Sequence, residues 1–298
     1  MLAFGRITAE YSHDEVSMDF LIAVILGVVL GITEFLPISS LGHSIVLEAF
    51  LGFPRTVVLA GPEAIKNARD ALALFIQLGA VLAVIVYYFR DLMKLLGRVP
   101  SDPKARRLFG NLIVAFLPIA ILGFLFNHEI KAVFFSPWVV AVSLILGGIV
   151  FLLVESRKAQ PASVTNLEDI PWHKALWVGI AQIFALIPGV SRSGSTIIGG
   201  LLVGLERKVV ANFSFLLFIP TLGAAAGFEL FKAVKGKSLD HALWPYFILA
   251  AAVGFIVSLG VIRWLMKYIS THNFKVFGYY RIGAGLVIGA LLLMGVAH

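Results

Sequence analysis

Apolar residues run along this chain in long blocks separated by short polar stretches, at roughly 18–36, 38–53, 71–89, 109–126, 138–154, 175–188, 193–204, 211–229, 243–265 and 279–297. A helix that crosses a bilayer needs about 20 residues, and six of these blocks reach or approach that length. The other four form two pairs. Each pair is interrupted by a polar stretch containing proline: Glu34-Phe-Leu-Pro-Ile-Ser-Ser-Leu-Gly-His43 in the first and Pro188-Gly-Val-Ser-Arg-Ser-Gly-Ser-Thr196 in the second. Proline breaks a helix, and unpaired backbone at membrane depth is tolerated only inside protein or beside a wet cavity. Each pair therefore predicts a re-entrant helical hairpin, over 18–53 and 175–205.

The order along the chain becomes hairpin, three spans, hairpin, three spans. Because three is odd, the second half enters the membrane inverted relative to the first, an arrangement that places binding sites near the midplane. The expectation is an all-α polytopic membrane protein with an inverted-topology repeat. A polar extension over 1–17 precedes a first repeat (18–154, spans 71–89, 109–126, 138–154) and a second (175–298, spans 211–229, 243–265, 279–297), all one membrane domain. Pro37-Ile-Ser39-Ser40 and Pro188-Gly-Val-Ser191 occupy corresponding places in the two halves.

Composition agrees with the pattern. Hydrophobic side chains make up 59% of the 298 residues and charged ones 14%, against about 45–50% and about 25% in soluble domains. The net charge of +7 is read as loop orientation, not as a nucleic-acid footprint. With no cysteine, disulfides, thiolate metal sites and cysteine nucleophiles are excluded. Lys and Arg mark cytoplasmic loops. The 90–107 stretch is the strongest candidate, and counting spans from it places 155–174, Arg207-Lys208 and Arg263 to Lys275 on the same side. Lys232, Lys235 and Lys237 then fall outside, as the one violation.

Ionisable residues inside apolar segments are functional by default, and here they concentrate in the two elbows. The first supplies Glu34, Ser39, Ser40 and His43; the second supplies Ser191, Arg192, Ser193 and Thr196. Each elbow opens a helix, whose free N–H groups attract anions. If the elbows meet tip to tip, both N-termini address one point, which suits a phosphate-like ligand held by the Arg192 fork. Gly189 and Gly194 would let backbone approach it closely. Simpler roles stand beside these: Glu34 as the partner of Arg192, Ser39 and Ser40 as helix caps, and His43 bonding its own turn. Trp138, Trp172, Trp244 and Tyr279-Tyr280 read as an interfacial belt.

The run Gly27-Val-Val-Leu-Gly-Ile-Thr-Glu-Phe-Leu-Pro-Ile-Ser-Ser-Leu-Gly-His43 and the run Pro188 to Thr196 resemble the two signature motifs of the undecaprenyl-diphosphate phosphatase family, the integral membrane type linked to bacitracin resistance. The likeness covers nearly the whole chain from about residue 18, including Phe75-Ile-Gln-Leu-Gly-Ala-Val-Leu-Ala-Val84 and Phe213-Ser-Phe-Leu-Leu217. The resemblance implies hydrolysis of a C55 polyprenyl diphosphate to the monophosphate and inorganic phosphate, which recycles the lipid carrier of cell-wall synthesis. It also implies a divalent cation, Mg2+ or Ca2+, and a bacterial plasma-membrane location with the site facing outward. By position it assigns Glu34 to the acidic motif, which makes it the candidate metal ligand. Ser40 becomes nucleophile or phosphate ligand, His43 the motif histidine and Arg192 the diphosphate-binding arginine.

Three positions depart from the family pattern. Leu30 stands where an acid or glutamine is usual, Leu41 where threonine is, and Asn212 where an acid is common. The first leaves one carboxylate on a helical face that could have carried two. The expected chemistry has Arg192, Ser191 and Ser193 holding the diphosphate, Ser40 or water attacking, and His43, oriented by Glu34, shuttling the proton. The rival reading is an inverted-repeat transporter or flippase for a phosphorylated lipid or anion, or a phosphatase weakened by Leu30. Expected partners are the polyprenyl diphosphate and bilayer lipids, with no nucleic acid and a homodimer left open.

Overall fold

A computed structural model describes residues 13–51, 62–134, 136–157, 162–235 and 243–295. Among them the chain is all-helical, and the sole β contact is an isolated bridge between Val164 and Leu205. In chain order the helices are α1 (His13–Thr33), α2 (Ser40–Leu51), α3 (Pro62–Tyr87), α4 (Phe89–Arg98), α5 (Pro103–Leu125), α6 (Asn127–Phe134), α7 (Pro137–Ser156), α8 (Trp172–Ile183), α9 (Arg192–Leu202), α10 (Arg207–Lys235), α11 (Trp244–Ile269) and α12 (Lys275–Leu293). Two single 3-10 turns, Leu167–Asp169 and Phe184–Leu186, complete the described secondary structure.

Among the described residues six helices are long and apolar enough to cross a membrane: α3, α5, α7, α10, α11 and α12. They carry the six blocks singled out by length in the sequence. Their outer faces are greasy, with Phe124, Leu153, Ile256 and Leu293 each more than 60% exposed. Side chains of this kind presented all round a molecule are stable only against lipid. The central pair is α3 and α10, whose spanning windows are 50% and 61% buried, against 22–33% for the other four.

The sequence boundaries shift in places. Helix α1 begins at His13, so part of the expected polar extension is helical; residues 1–12 lie outside the described set, as do 52–61, Lys237 and His241. Helix α3 starts at Pro62 because two charged turns, including Glu63, Lys66, Arg69 and Asp70, precede its apolar run. The 90–107 stretch is no plain loop. It contains α4, an amphipathic helix that buries Leu95 and presents Arg90, Lys94 and Arg98 outward, a 3.6-residue pattern too short to register as an apolar block. Helix α6 fills part of the polar interval between the apolar blocks 109–126 and 138–154. Where α5 and α7 begin, the local chemistry is explicit. Asp102 and Ser136 cap them through Lys104 N–H and Trp138 N–H, with Pro103 and Pro137 at the first helical position.

The basic segments grouped by charge gather at one end of the molecule. Arg98 pairs with Asp102 and with Glu168, Lys104 with Asp169 at 3.1 Å, and Arg207 with Glu155. The Glu155 carboxylate, 2% exposed, also accepts from Phe274 N–H at 3.1 Å. Outside the membrane, hydrogen bonds from the Arg98 guanidinium and from Lys104 N–H hold the Asp102 carboxyl below its ordinary range.

Helices of the two halves are interleaved. Helix α11 lies against α1 and α3, α5 lies against α8 and α10, and α7 lies against α12. With no hydrophobic drive between helices in lipid, close packing needs small residues, and these seams have them. A Cβ at Gly79 of α3 would run into the Ala251 carbonyl of α11, and one at Gly148 of α7 would sit 2.6 Å from the Gly278 carbonyl of α12. Overpacking a seam costs about 1–3 kcal/mol. Gly79→Val should therefore lower the melting temperature of the detergent-purified protein by about 2–5 °C, read by scanning fluorimetry. Melting with the parent would mean that α3 and α11 do not meet there.

Candidate active site

Both elbows turn on a serine in an unusual conformation. Ser39 and Ser191 each have φ of +73°, and no other described non-glycine residue has positive φ. Such backbone costs about 1–3 kcal/mol per residue and persists where the surroundings enforce it, chiefly at functional sites. Each serine then caps the helix it opens: Ser39 Oγ accepts from Gly42 N–H at 3.3 Å, and Ser191 Oγ from Gly194 N–H at 3.2 Å. Gly189, at φ +90°, supplies the second elbow's extra bend and packs on α7, where a Cβ would sit 2.7 Å from the Val140 carbonyl.

The elbows touch. Arg192, the first residue of α9, donates from Nη2 to Glu34 Oε1 at 2.7 Å, with both side chains at most 15% exposed. Ser193 Oγ donates to the Leu36 carbonyl at 3.2 Å and lies 3.3 Å from Ser191 Oγ. The Arg192 guanidinium stacks 4.0 Å over the Phe218 ring, and Phe218 in turn stacks on Phe35. Its other arm is different: Nη1 is buried with no hydrogen-bond partner. Leaving such a donor unmet is costly, so the fork is half-used and suited to an incoming anion. Thr196 is bonded to the Arg192 and Ser193 carbonyls at 3.1 Å and to Ser214 of α10, so it braces α9.

His43, on the first turn of α2, is held from both ring nitrogens. Nδ1 lies 2.7 Å from the Ser39 carbonyl and Nε2 lies 2.6 Å from the Tyr280 hydroxyl, with the two rings stacked at 10°. A carbonyl only accepts, so Nδ1 carries the proton of the neutral ring, Nε2 is its basic atom, and Tyr280 donates to it. This corrects the expectation that Glu34 orients His43: the glutamate is committed to Arg192, and Ser39 and Tyr280 fix the imidazole. Ser40, half-buried, precedes His43 by three residues on the same turn. Beside them a cavity of about 400 Å³ is walled by Val29, Ile32, Leu36 and Phe277, with His43 and Tyr280 in its lining.

Two residues of this centre were missed in the sequence. Tyr280 was assigned to the interfacial belt. Arg281 lies inside the last apolar block, the same signal that picks out the elbows. It is fully buried and donates from Nη1 to the Pro37 and Val190 carbonyls at 3.0 and 2.9 Å. From Nη2 it donates to Gly189 and Ser143 carbonyls at 3.0 and 3.2 Å. One guanidinium thus ties both elbows to α7, and it reaches them across Gly147, where a Cβ would collide with it.

A divalent cation does not fit these residues as a resident ligand set. Among the described residues no three His, Asp or Glu side chains converge, Glu34 is paired to Arg192, and Leu30 is buried in the core against α11 and α3.

Residues 23–287 match the family described as Bacitracin resistance protein BacA. The chain belongs to the BacA family. It is 45% identical over 273 residues to Undecaprenyl-diphosphatase 2 of Rhodospirillum rubrum, covering 92% of this chain and 95% of the relative. To Undecaprenyl-diphosphatase 1 of Paraburkholderia xenovorans it is 46% identical, over 93% and 97% of the two chains. To Undecaprenyl-diphosphatase of Deinococcus deserti it is 42% identical, over 94% and 98%. Both elbows of this BacA member, with Tyr280 and Arg281, fall inside the matched region.

Each charge-assisted hydrogen bond is worth about 1.5–3 kcal/mol, and Arg281 makes four. Arg281→Leu should destabilise this BacA member by at least about 3 kcal/mol, whereas Tyr280→Phe should cost about 1 kcal/mol or less. Denaturant or thermal melts of the two purified variants check the contrast, and equal losses would contradict the clamp.

Proposed function

We propose that this chain hydrolyses undecaprenyl diphosphate to undecaprenyl phosphate and inorganic phosphate where its two elbows meet, in the bacterial plasma membrane with the site open to the outside. The observation that carries the reading is the half-used Arg192 fork, between two strained serine caps and beside a basic His43 nitrogen. The activity in the names of the relatives supports the same substrate.

In this mechanism Arg192 Nη1 takes an oxygen of the terminal phosphate, joined by the Ser191 and Ser193 hydroxyls and the free N–H groups of the α2 and α9 first turns. The Ser40 hydroxyl or a water attacks the terminal phosphorus as its bond to the bridging oxygen breaks; when Ser40 attacks, a water then hydrolyses the phosphoserine, which releases inorganic phosphate and restores the hydroxyl. Undecaprenyl phosphate leaves with that oxygen. The nucleophile's proton reaches His43 Nε2 through Tyr280, whose hydroxyl gives its own proton to the imidazole as it receives the new one. Glu34 holds Arg192 in place, and the apolar cavity beside His43 takes the start of the prenyl chain.

The two halves are read as an inverted repeat of re-entrant hairpin plus three spans. Support comes from exchanged neighbours: the first arm of each hairpin, α1 and α8, packs on the middle span of the opposite half, α11 and α5. The same plan occurs in transporters. A transporter would bind the lipid diphosphate without releasing phosphate.

Phosphate release from undecaprenyl diphosphate by purified protein should be catalytic. Arg192→Ala and His43→Ala should each lower kcat/KM at least about a hundredfold, the scale of general-base and electrostatic contributions, and Tyr280→Phe about tenfold, mostly in kcat. Full rates in Arg192→Ala or His43→Ala would refute the assignment. Leu30→Glu, measured with and without Mg2+, shows whether a second carboxylate confers cation dependence.

A further inference from the structure

At the end of the molecule where the basic segments gather, a cavity of about 540 Å³ opens between α3, α4, α10 and α11. Its lining brings together Lys208, Arg263 and Lys267, with Asn212 beside them and Asp91 as the single acid. Three cations less one carboxylate leave the hollow at +2. The wall is ordered by hydrogen bonds: Tyr88 Oη donates to Asn212 Oδ1 at 2.6 Å, and Asn212 Nδ2 donates to the Lys208 carbonyl at 2.9 Å.

What distinguishes these cations is that three without an ion pair line one cavity. Nearby at the same end Arg98, Lys104 and Arg207 are each paired with carboxylates. Lys208, Arg263 and Lys267 have no ion pair among the described residues, although all three face one cavity. Like charges gathered in a hollow at a membrane edge repel, and an anion relieves them. The opening of α10 at Arg207 adds its positive end on the same side. The height in the membrane indicates which anion. Trp264, half-exposed and stacked on Tyr268 at 5.2 Å, stands beside Arg263, and such aromatic side chains settle at headgroup level. Anionic lipid phosphates are the concentrated anions there.

We propose that this cavity is a second phosphate-binding site, separate from the elbows, which takes a phosphate group carried by an anionic lipid headgroup or free in solution. Among the described residues no hydrogen bond, ion pair or ring contact joins its lining to Glu34, Arg192 or His43.

Native mass spectrometry of the full-length purified protein, equilibrated with phosphatidylglycerol or phosphatidylcholine, compares the parent with a Lys208→Gln, Arg263→Gln, Lys267→Gln variant. The parent should retain phosphatidylglycerol at least tenfold over phosphatidylcholine, and the variant should lose that preference. A 31P NMR titration with inorganic phosphate separates the sources. Line broadening by the parent but not the variant supports free phosphate as a ligand, whereas lipid preference without broadening supports the headgroup. Should the triple variant melt early, Lys267→Gln alone should cut the preference about threefold. No lipid preference together with no phosphate broadening in the parent, or the same preference in parent and folded variant, would overturn the proposal.

Discussion

A guanidinium removed from water needs acceptors for its donors, and the two amino groups of Arg281 find them on the broken backbone of both elbows and on α7. Interrupting a helix inside a membrane strands carbonyl groups that lipid cannot satisfy. Here the Pro37, Gly189 and Val190 carbonyls are met by one side chain that also reaches Ser143 of α7. Desolvating an arginine costs several kcal/mol, which four charge-assisted bonds offset. The need is mutual: neither the elbows nor the arginine would be stable at this depth without the other.

That clamp makes the strained serines possible. With the chain fixed on the elbow side of Ser39 and Ser191, the left-handed turns can persist, and each turn aims a helix N-terminus at the other elbow. Arg192 and Glu34 then meet across the gap. The pair holds one arm of the arginine fork and leaves the other buried without a partner. In the proposed reaction, this is how a membrane interior keeps a phosphate site charged yet sheltered. The Ser39 carbonyl sets the tautomer of His43 and Tyr280, one residue from the clamp, holds its other ring nitrogen, so consecutive residues of α12 serve the backbone of the elbows and the base.

Much of this was legible in the sequence. Six spans follow from block length, and both elbows follow from proline and polar residues interrupting apolar runs. Same-end grouping of the basic segments follows from charge, since lipid imposes that pattern directly on composition. The missed features have local causes. Helix α4 is too short and too amphipathic to appear as a block, and α3 begins in charged turns. Tyr280 looks like any interfacial tyrosine until the fold brings it 237 positions back to His43. Arg281 carried the right signal, a charge inside a span, but its partners are carbonyls, which no sequence pattern marks. The partner of Glu34 was named among the alternatives; the orientation of His43 was assigned to the wrong residue, because spacing along a chain does not say which of two neighbours a carboxylate will prefer.

The most direct measurement exploits the absence of cysteine from the chain. Leu36→Cys and Ser193→Cys place one thiol in each elbow, where Ser193 Oγ lies 3.2 Å from the Leu36 carbonyl. A protease site introduced at Ser101 separates the two positions along the backbone. After mild oxidation in native membranes and cleavage, the two fragments should migrate together on a non-reducing gel and part on reduction. Fragments that separate without reduction would show that the elbows do not meet, and the site built on their contact would fall with it.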